Sequence, residues 1–419
     1  MDPRRAKGYG PRRCRGSRVR TAASLCVAFL LALNLGCSGG GGSSGGSGGG
    51  STSLQPTPPA PPSPPPTTPT PTPQPPTPPP VAALNLEGAA GVAFAAGARA
   101  MVVIHKGERV FERYAGAGGS SVSEPLASGT KSFNCALAVA AADDGLLGLD
   151  NPSSWAVSPW RPGGSAPDIH RKQAIRNVDL LSMTAGLAAG DAAGAELNTV
   201  DSYAQAIGAR SLYEPGQALV YGPNSFQAFS AVFELSTGGS VGADGAVTGG
   251  SDPVEYLQAR VFDRLGVVAR DWRRDIRGKP NFGGGARFTA TDWSLYGQLI
   301  LQNGRWNGQQ VLSEAGVRRC WSHDAPAFRA YGLGFWLNRP TAGSFTPGVD
   351  SSPFPADVRE RLASGGKIAP DVPDSMFMAW GAGNMKMFML PSHDAVVVRL
   401  GGSADDNRFL GVLIRTVAP

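Results

Sequence analysis

Residues 38–80 form a long stretch whose composition cannot build a hydrophobic core. Residues 38–53 are glycine and serine with one threonine, and residues 55–80 are mainly proline. Glycine and serine favour a flexible coil, whereas runs of proline favour an extended polyproline II spacer. Neither composition offers enough apolar side chains to offset the entropy lost on folding. We therefore predict that residues 37–81 are a linker and that residues 82–419 form one folded domain.

The segment before the linker has the composition of an export signal. Eight basic residues and one acid lie within the first 20 residues, and an apolar run follows at residues 21–36. The run is too short and too interrupted to span a bilayer, so this order predicts a signal peptide at residues 1–36. Because the leader accounts for the positive net charge of +6, that charge indicates no nucleic-acid partner.

The end of the apolar run resembles a bacterial lipoprotein cleavage box. It reads Leu33-Asn34-Leu35-Gly36-Cys37, with Cys37 at the place of the acylated cysteine. The usual box has leucine three places before the cysteine, where this chain has Asn34. The resemblance implies an exported lipoprotein at a membrane surface, periplasmic or extracellular, and an ordinary secreted protein is the alternative.

The stretch from Ser128 to Gly145 predicts a buried helix that begins with a reactive pair. Nothing in residues 128–142 breaks a helix, the alanines favour one, and Gly145 is a natural stop. Ser128 and Lys131 are three residues apart and therefore share one face at the positively polarised start of the helix. A hydroxyl beside an amine can act as an activated nucleophile. The plain alternative is an N-cap serine followed by a solvated lysine.

The predicted elements place strands at both ends of the domain and helices between them. Strands are expected at residues 100–104, 110–114, 218–221, 331–337, 376–380, 385–390 and 395–400. Further helices are expected at residues 176–183, 202–209, 225–236, 253–265, 290–303 and 407–415. This order predicts an α/β fold of the α+β type, in which an antiparallel sheet is covered by N- and C-terminal helices and a second subdomain is mostly helical.

The numbers and positions of cysteine and histidine predict neither a set of disulfide bridges nor a metal site. Cys14 and Cys26 lie in the leader and Cys37 is the predicted anchor, which leaves Cys135 and Cys320 in the domain. A Cys135–Cys320 bridge could form in an exported protein, but we do not expect one. The four histidines are scattered, and no glycine-rich segment has nucleotide-binding spacing, so no metal and no cofactor are implied.

Four motifs together resemble the serine β-lactamase-related family, which includes class C β-lactamases, D-alanyl-D-alanine carboxypeptidases, esterases and oligomer amidases. The motifs are Ser128-Gly129-Thr130-Lys131, the Leu-Leu-Ser-Met-Thr-Ala-Gly-Leu segment at 180–187, the segment 283–292, and the Tyr-Gly-Leu-Gly-Phe-Trp segment at 331–336. The resemblance covers most of residues 90–419. It implies a β-lactamase/transpeptidase-like fold in which Ser128 is the nucleophile and Lys131 helps to move its proton.

The family's second motif, Tyr-x-Asn, is altered in this chain. It corresponds to Tyr221-Gly222-Pro223-Asn224, in which the asparagine is displaced by one residue. The resemblance implies that Tyr221 is the third catalytic residue and that Asn224 contacts the substrate.

The third motif, a cation followed by Thr or Ser and Gly, is also altered. Its place is taken by Ala379-Trp380-Gly381-Ala382-Gly383-Asn384, which keeps the glycines and loses the cation. The resemblance implies an oxyanion and substrate-binding role for Trp380, Gly381, Ala382 and Gly383. Trp380 could equally be a packing residue, and Lys386 on the same strand could replace the lost charge or be solvated.

These residues predict a serine hydrolase that cleaves an ester or amide through a Ser128 acyl-enzyme. The expected substrate is a small ester, an amide or a peptidoglycan-like molecule, and the expected membrane contact is the lipid anchor. The missing cation weighs against β-lactamase or D-alanyl-D-alanine carboxypeptidase activity, which remain alternatives. A further alternative is a non-catalytic surface lipoprotein that binds peptidoglycan-like ligands.

Overall fold

The computed structural model describes residues 83–190, 197–269, 271–341 and 354–415. The chain divides into two units, Met1–Pro75 and Pro76–Pro419, and every described residue lies in the second. The predicted signal peptide, Cys37 and the predicted linker lie outside the described residues. Within those residues, no helix combines the length and the apolar character needed to cross a membrane.

The helices lie mostly between two groups of strands. In chain order they are α1 (Leu86–Ala95), α2 (Phe133–Asp143), α3 (Ile169–Lys172), α4 (Asn177–Leu181), α5 (Ser202–Gly208), α6 (Asn224–Ser236), α7 (Pro253–Leu257), α8 (Asp263–Leu265), α9 (Ala290–Leu301), α10 (Glu314–Ser322), α11 (Ala356–Ala363) and α12 (Asp406–Ile414). A π-helical turn, Gln258–Phe262, joins α7 to α8, so the helix predicted at 253–265 is present with a local widening.

The strands form one large sheet and three small ones. In chain order they are β1 (Ala98–His105), β2 (Glu108–Tyr114), β3 (Glu124–Pro125), β4 (Ser240–Val241), β5 (Val247–Thr248), β6 (Asp271–Trp272), β7 (Ala286–Phe288), β8 (Arg305–Trp306), β9 (Gln309–Gln310), β10 (Trp336–Leu337), β11 (Phe377–Gly381), β12 (Met385–Leu390) and β13 (Ala395–Gly401). The large sheet has the order β10-β11-β12-β13-β1-β2 and its pairs are antiparallel. The N-terminal hairpin therefore joins the C-terminal strands, as the sequence predicts.

Helices cover both faces of this sheet. On one face α9 packs so closely that a Cβ at Gly297 would lie 2.6 Å from the Sδ of Met387. Successive side chains of a strand point to opposite faces, and the neighbouring Phe388 packs against Phe409 of α12 at 6.0 Å. On that second face α1 joins α12 through the Asn85 N–H, which donates to the Leu413 carbonyl at 2.8 Å. The predicted fold class is confirmed.

One predicted strand is absent, and another was predicted too long. Residues 218–221 form no strand, and in residues 331–337 only β10 is a strand. Gly334 has φ of 89° and interrupts the segment 331–337. A Cβ at Gly334 would clash with the Lys131 carbonyl. This segment is therefore a turn packed beneath the start of α2.

A disulfide bridge joins Cys135 of α2 to Cys320 of α10, which corrects our expectation of no bridge. The two Cα atoms are 5.9 Å apart, and both residues are fully buried. The pairing was not evident from the sequence because 185 residues separate the two cysteines and because α10 was not predicted.

Candidate active site

Ser128 lies on a tight 3-10 turn, Ala127–Ser132, and not on the first turn of the predicted α-helix. Ala127 has φ of 46°, in the left-handed region that a residue with a Cβ adopts at a cost of about 1–3 kcal/mol. Thr130 Oγ1 accepts from the Ala286 N–H at 3.0 Å, and the Tyr296 hydroxyl donates to the Ser132 carbonyl at 2.7 Å. These bonds hold the turn in its strained shape. Ser128 itself is only half-buried, so the turn is not closed off from solvent.

Lys131 is buried and points at the serine. Its Nζ lies 3.0 Å from Ser128 Oγ and donates to the Gly283 carbonyl at 2.6 Å. Only 4% of the residue's surface is exposed. Burial disfavours the charged amine and lowers the pKa of Lys131 from its ordinary value of 10.5 to about 7. At neutral pH a large share of the amine is therefore unprotonated and can accept a proton from Ser128.

Gly283 is a site residue whose role sequence reasoning missed. Its carbonyl is held in place by the residue before it, because the Phe282 N–H donates to Gln227 Oε1 at 2.8 Å and Asn134 Nδ2 donates to the Phe282 carbonyl at 3.2 Å. A Cβ at Gly283 would lie 2.8 Å from the Cβ of Pro223, so only glycine fits. A backbone acceptor has no side-chain signature, and the Gly-Gly-Gly run at 283–285 was the available signal.

Tyr221 lies beside the amine. The centre of its ring is 4.9 Å from Lys131 Nζ, and 5% of its surface is exposed. The ring stacks on Trp336 at 5.5 Å between centroids, and Trp336 contacts Phe354 at 4.4 Å. The structure thus brings Ser128, Lys131 and Tyr221 together against an aromatic wall.

Gly381 brings the end of β11 against the nucleophile turn. A Cβ at this position would overlap the Leu126 carbonyl oxygen and lie 2.8 Å from the Gly129 nitrogen. Ala382 and Gly383 follow in an exposed turn, where Gly383 has φ of 75°. The close approach leaves the backbone of this strand end beside Ser128, which is the arrangement an oxyanion hole requires.

Trp380 and Lys386 lie on the opposite face of the sheet from the side on which Gly381 meets Ser128. Lys386 Nζ is 3.6 Å from the centre of the Trp380 ring and donates to Asp406 Oδ2 at 2.6 Å. Arg399 donates to the other oxygen of Asp406 at 2.8 Å. Trp380 is 4% exposed and packs against Phe354 at 4.8 Å between centroids, so its indole supports the aromatic wall through Phe354 and offers little surface to a substrate. Lys386 is buried rather than solvated, and burial lowers its pKa to about 8.

Asn224 has a structural partner. It is the first residue of α6, and its Nδ2 donates to the Ala188 carbonyl at 2.9 Å. A Cβ at Gly190 would also meet the Asn224 side chain. The displaced asparagine follows Tyr221 closely in the chain. It therefore ties the start of α6 to the segment 188–190.

A half-buried serine, a buried amine three residues later and a helix-covered antiparallel sheet together define the class of penicillin-recognising serine enzymes and their relatives. The family model named Beta-lactamase matches residues 84–412 of this chain. The chain belongs to the β-lactamase family.

Solved structures share the fold at low sequence identity. One is a protein of Bacillus anthracis described as a 6-aminohexanoate-dimer hydrolase, with a TM-score of 0.56 and 15% identity, covering 77% of this chain and 79% of its own. Another, described as a β-lactamase of Bacteroides dorei DSM 17855, has a TM-score of 0.55 and 18% identity, with coverage of 78% and 93%. A hydrolase with promiscuous acyltransferase activity has a TM-score of 0.54 and 16% identity, with coverage of 78% and 97%. No significant match was found among curated protein sequences.

Proposed function

We propose that this protein is a serine hydrolase that cleaves a neutral ester through a Ser128 acyl-enzyme. The observation that carries the proposal is the 3.0 Å contact between Ser128 Oγ and the amine of Lys131, whose pKa is lowered to about 7 by burial. A base whose pKa lies near the working pH is largely unprotonated and is still basic enough to accept a proton. The serine can therefore be activated without a histidine.

In the proposed mechanism the Lys131 amine accepts the proton of Ser128 as Oγ attacks the carbonyl carbon. The Gly283 carbonyl holds one N–H of the amine, so the lone pair of the neutral amine can face Oγ. Tyr221 lies against the same amine and passes the proton to the leaving group. Backbone N–H groups of Ser128 and of the segment 381–383 stabilise the oxyanion. Water then attacks the acyl-enzyme by the reverse proton path.

The preference for a neutral ester follows from the charges around the site. Position 379 carries alanine where the family's third motif has a cation. The nearby Lys386 is bound to Asp406 and to the Trp380 ring on the other face of the sheet. A substrate carboxylate would therefore lack a charged hydrogen bond worth roughly 1.5–3 kcal/mol, about a 10- to 150-fold loss in kcat/KM. A neutral ester needs no such partner.

The test compares three substrates on one preparation of the protein. We expect hydrolysis of p-nitrophenyl acetate or butyrate, with poor turnover of a chromogenic cephalosporin and of a D-Ala-D-Ala peptide. Ser128→Ala should abolish ester hydrolysis, because no other group forms the acyl-enzyme. Lys131→Ala and Tyr221→Phe should reduce it strongly, because each interrupts the proton path.

Three outcomes would contradict the assignment. A cephalosporin kcat/KM about tenfold above the ester value would favour β-lactamase activity. Ester turnover that survives Ser128→Ala would refute the mechanism. No labelling of the folded protein by a serine-directed phosphonate, together with no ester turnover, would favour the non-catalytic ligand-binding lipoprotein.

We also propose that the enzyme is exported and anchored by lipid at Cys37. The basic leader, the apolar run and the Gly36-Cys37 pair are the sequence observations behind this. The buried Cys135–Cys320 bridge supports export, because disulfides persist in oxidising compartments and are rare in the cytosol.

A further inference from the structure

The buried cation Lys386 has two partners, a carboxylate and an indole. Its Nζ donates to Asp406 Oδ2 at 2.6 Å and lies 3.6 Å from the centre of the Trp380 ring. Arg399 binds the other oxygen of Asp406, and within the described part of the chain no further carboxylate pairs with either cation. The neighbouring Asp405 is exposed. Two cations therefore share one buried carboxylate, and the face of the indole supplies the remaining attraction that holds the Lys386 ammonium.

From Trp380 a row of aromatic rings leads to the catalytic residues. The indole meets Phe354 nearly edge-on, at 4.8 Å between centroids and 79° between planes. Phe354 meets Trp336 at 4.4 Å, and Trp336 stacks on Tyr221 at 5.5 Å. Each of the four residues is at most 5% exposed. Because protein interiors are closely packed, a ring in this row cannot move far without displacing the next one.

The row passes from one face of the large sheet to the other around its edge. Trp380 of β11 and Lys386 of β12 are directly opposite each other in the register and lie on the α12 face, whereas Ser128 lies on the other face. Trp336 belongs to β10, which is the edge strand of the sheet. Contacts through Trp336 therefore reach the Tyr221 ring on the Ser128 side, although the charged cluster and the nucleophile share no direct contact.

We propose that Lys386 is a positioning residue of the hydrolytic site, which holds the Trp380 indole and thereby keeps the Tyr221 ring against the Lys131 amine. The centre of that ring lies 4.9 Å from Lys131 Nζ, so the ring helps to keep water from the amine. If the row of rings loosens, water reaches the amine and stabilises its charged form. The pKa of Lys131 then rises from about 7 toward its ordinary value of 10.5. The consequence for catalysis rests on the proposed function, whereas the effect on the amine does not.

Two variants of the same charged cluster test the proposal. Lys386→Met keeps a long side chain beside the indole and leaves Asp406 paired with Arg399, so no buried charge is left alone. Arg399→Met is the matched control, because Arg399 is also buried and its loss leaves Asp406 paired with Lys386. The guanidinium of Arg399 lies over the ring of Phe409, at 4.8 Å from its centre, and is not part of the row that begins at Trp380.

NMR titration of ¹³C-labelled lysine in the full chain measures the pKa of Lys131 without a substrate, and the signal is assigned by its absence from Lys131→Ala. We expect this pKa to rise by about one unit in Lys386→Met and to keep its wild-type value in Arg399→Met. Trp380→Leu should raise it as Lys386→Met does, and the double variant should add little, because the lysine acts through the indole. In ester hydrolysis Lys386→Met should lower kcat about tenfold, less than the roughly 100-fold cost of a 1 Å displacement. KM should change little, because Lys386 does not touch the substrate.

An unchanged pKa of Lys131 in Lys386→Met, or an equal rise in Arg399→Met, would overturn the proposal, because the cluster would then serve only the stability of the fold. Additive effects of Lys386→Met and Trp380→Leu would overturn it as well, since the lysine would not act through the indole. If Lys386→Met does not fold, an unchanged pKa in Trp380→Leu is the result that refutes the proposal. A wild type without ester turnover would refute the proposed function alone, and the titration would still decide whether Lys386 positions the site.

Discussion

The amine of Lys131 should control the pH dependence of the reaction. Because the pKa of Lys131 is lowered to about 7, the amine is charged below that pH and cannot accept the Ser128 proton. We expect kcat/KM for a p-nitrophenyl ester to rise through an apparent pKa of about 7 and to level off above it. The measurement is initial rate against pH, corrected for spontaneous hydrolysis. A flat profile from about pH 5 to about pH 9 would exclude Lys131 as the base.

The same amine should lower the stability of the fold. Between pH 7 and pH 10.5 the unfolded chain binds a proton at Lys131 that the folded chain does not. The free energy of unfolding therefore rises with pH across this window. The loss of stability caused by burying the charged amine is fully present below pH 7. We expect Lys131→Met to raise the free energy of unfolding at pH 7 by on the order of 2–5 kcal/mol, with a smaller gain at pH 10. Urea unfolding of both proteins at the two pH values measures this. An equal effect at both pH values would contradict it.

At the residue scale, the sequence predicted the catalytic side chains of the site better than the backbone groups that take part in it. The Ser-x-x-Lys spacing predicted that Ser128 and Lys131 meet, because neighbours three apart share a face in a 3-10 turn as well as in an α-helix. The flanking pattern predicted Tyr221 near them. The carbonyl of Gly283 could not be predicted, since any residue carries a carbonyl. The sequence could not decide whether Trp380 lines the site or packs in the core. Strand residues alternate between the two faces of a sheet, and the face of Trp380 is fixed only once the strand register is known.

The contact between β11 and the nucleophile turn is an element-scale feature that one methyl group should disrupt. A Cβ at Gly381 would overlap the Leu126 carbonyl, so Gly381→Ala must push the strand away from Ser128. A displacement of about 1 Å in a catalytic site costs roughly 100-fold in rate, and we expect that loss in kcat/KM. Gly411→Ala is the matched control, because its Cβ would meet nothing within 4 Å. Normal activity in Gly381→Ala would show that this contact does not position the site.

At the element scale, strongly patterned segments were predicted and weakly patterned ones were missed. Strands β12 and β13 match their predicted ranges to within one residue, because apolar runs broken by a single basic residue leave little ambiguity. Helix α1 was missed because Gly88 and Gly91 lower its intrinsic propensity. Helix α10 buries Val317 and Cys320, whose spacing of three is helical, so the sequence carried a short signal that our prediction did not use. The strand predicted at 218–221 had the right composition, but the sequence could not indicate that no neighbouring strand would pair with it.

The bridge between α2 and α10 should stabilise the whole molecule. A disulfide that closes a long loop restricts the unfolded chain, and this one separates its cysteines by 185 residues. We expect the double variant Cys135→Ala/Cys320→Ala to lose roughly 3–5 kcal/mol of unfolding free energy. Urea unfolding under non-reducing conditions measures the loss. Equal midpoints for the wild type and the double variant would contradict a stabilising bridge.

Anchoring through Cys37 is a prediction about where the whole molecule resides. The apolar leader that ends in Gly36-Cys37 is its basis. Metabolic labelling with a fatty-acid probe should mark the wild type and not Cys37→Ala, because only the cysteine thiol offers the acylation site. Equal labelling of the two proteins would refute the anchor, and absence of label from both would favour an ordinary secreted protein.

The Cys135–Cys320 bridge also turns the middle of the chain into a covalent ring. Tyr221 and Gly283 lie within the ring, whereas Ser128 precedes it and Gly381 follows it. A single peptide-bond cut inside the ring, for instance in the exposed turn at residues 242–244, leaves the two pieces joined through sulfur. Such exposed turns are where proteases cut first. The nicked protein would then keep every part of its site in one molecule and would separate into two fragments only after reduction.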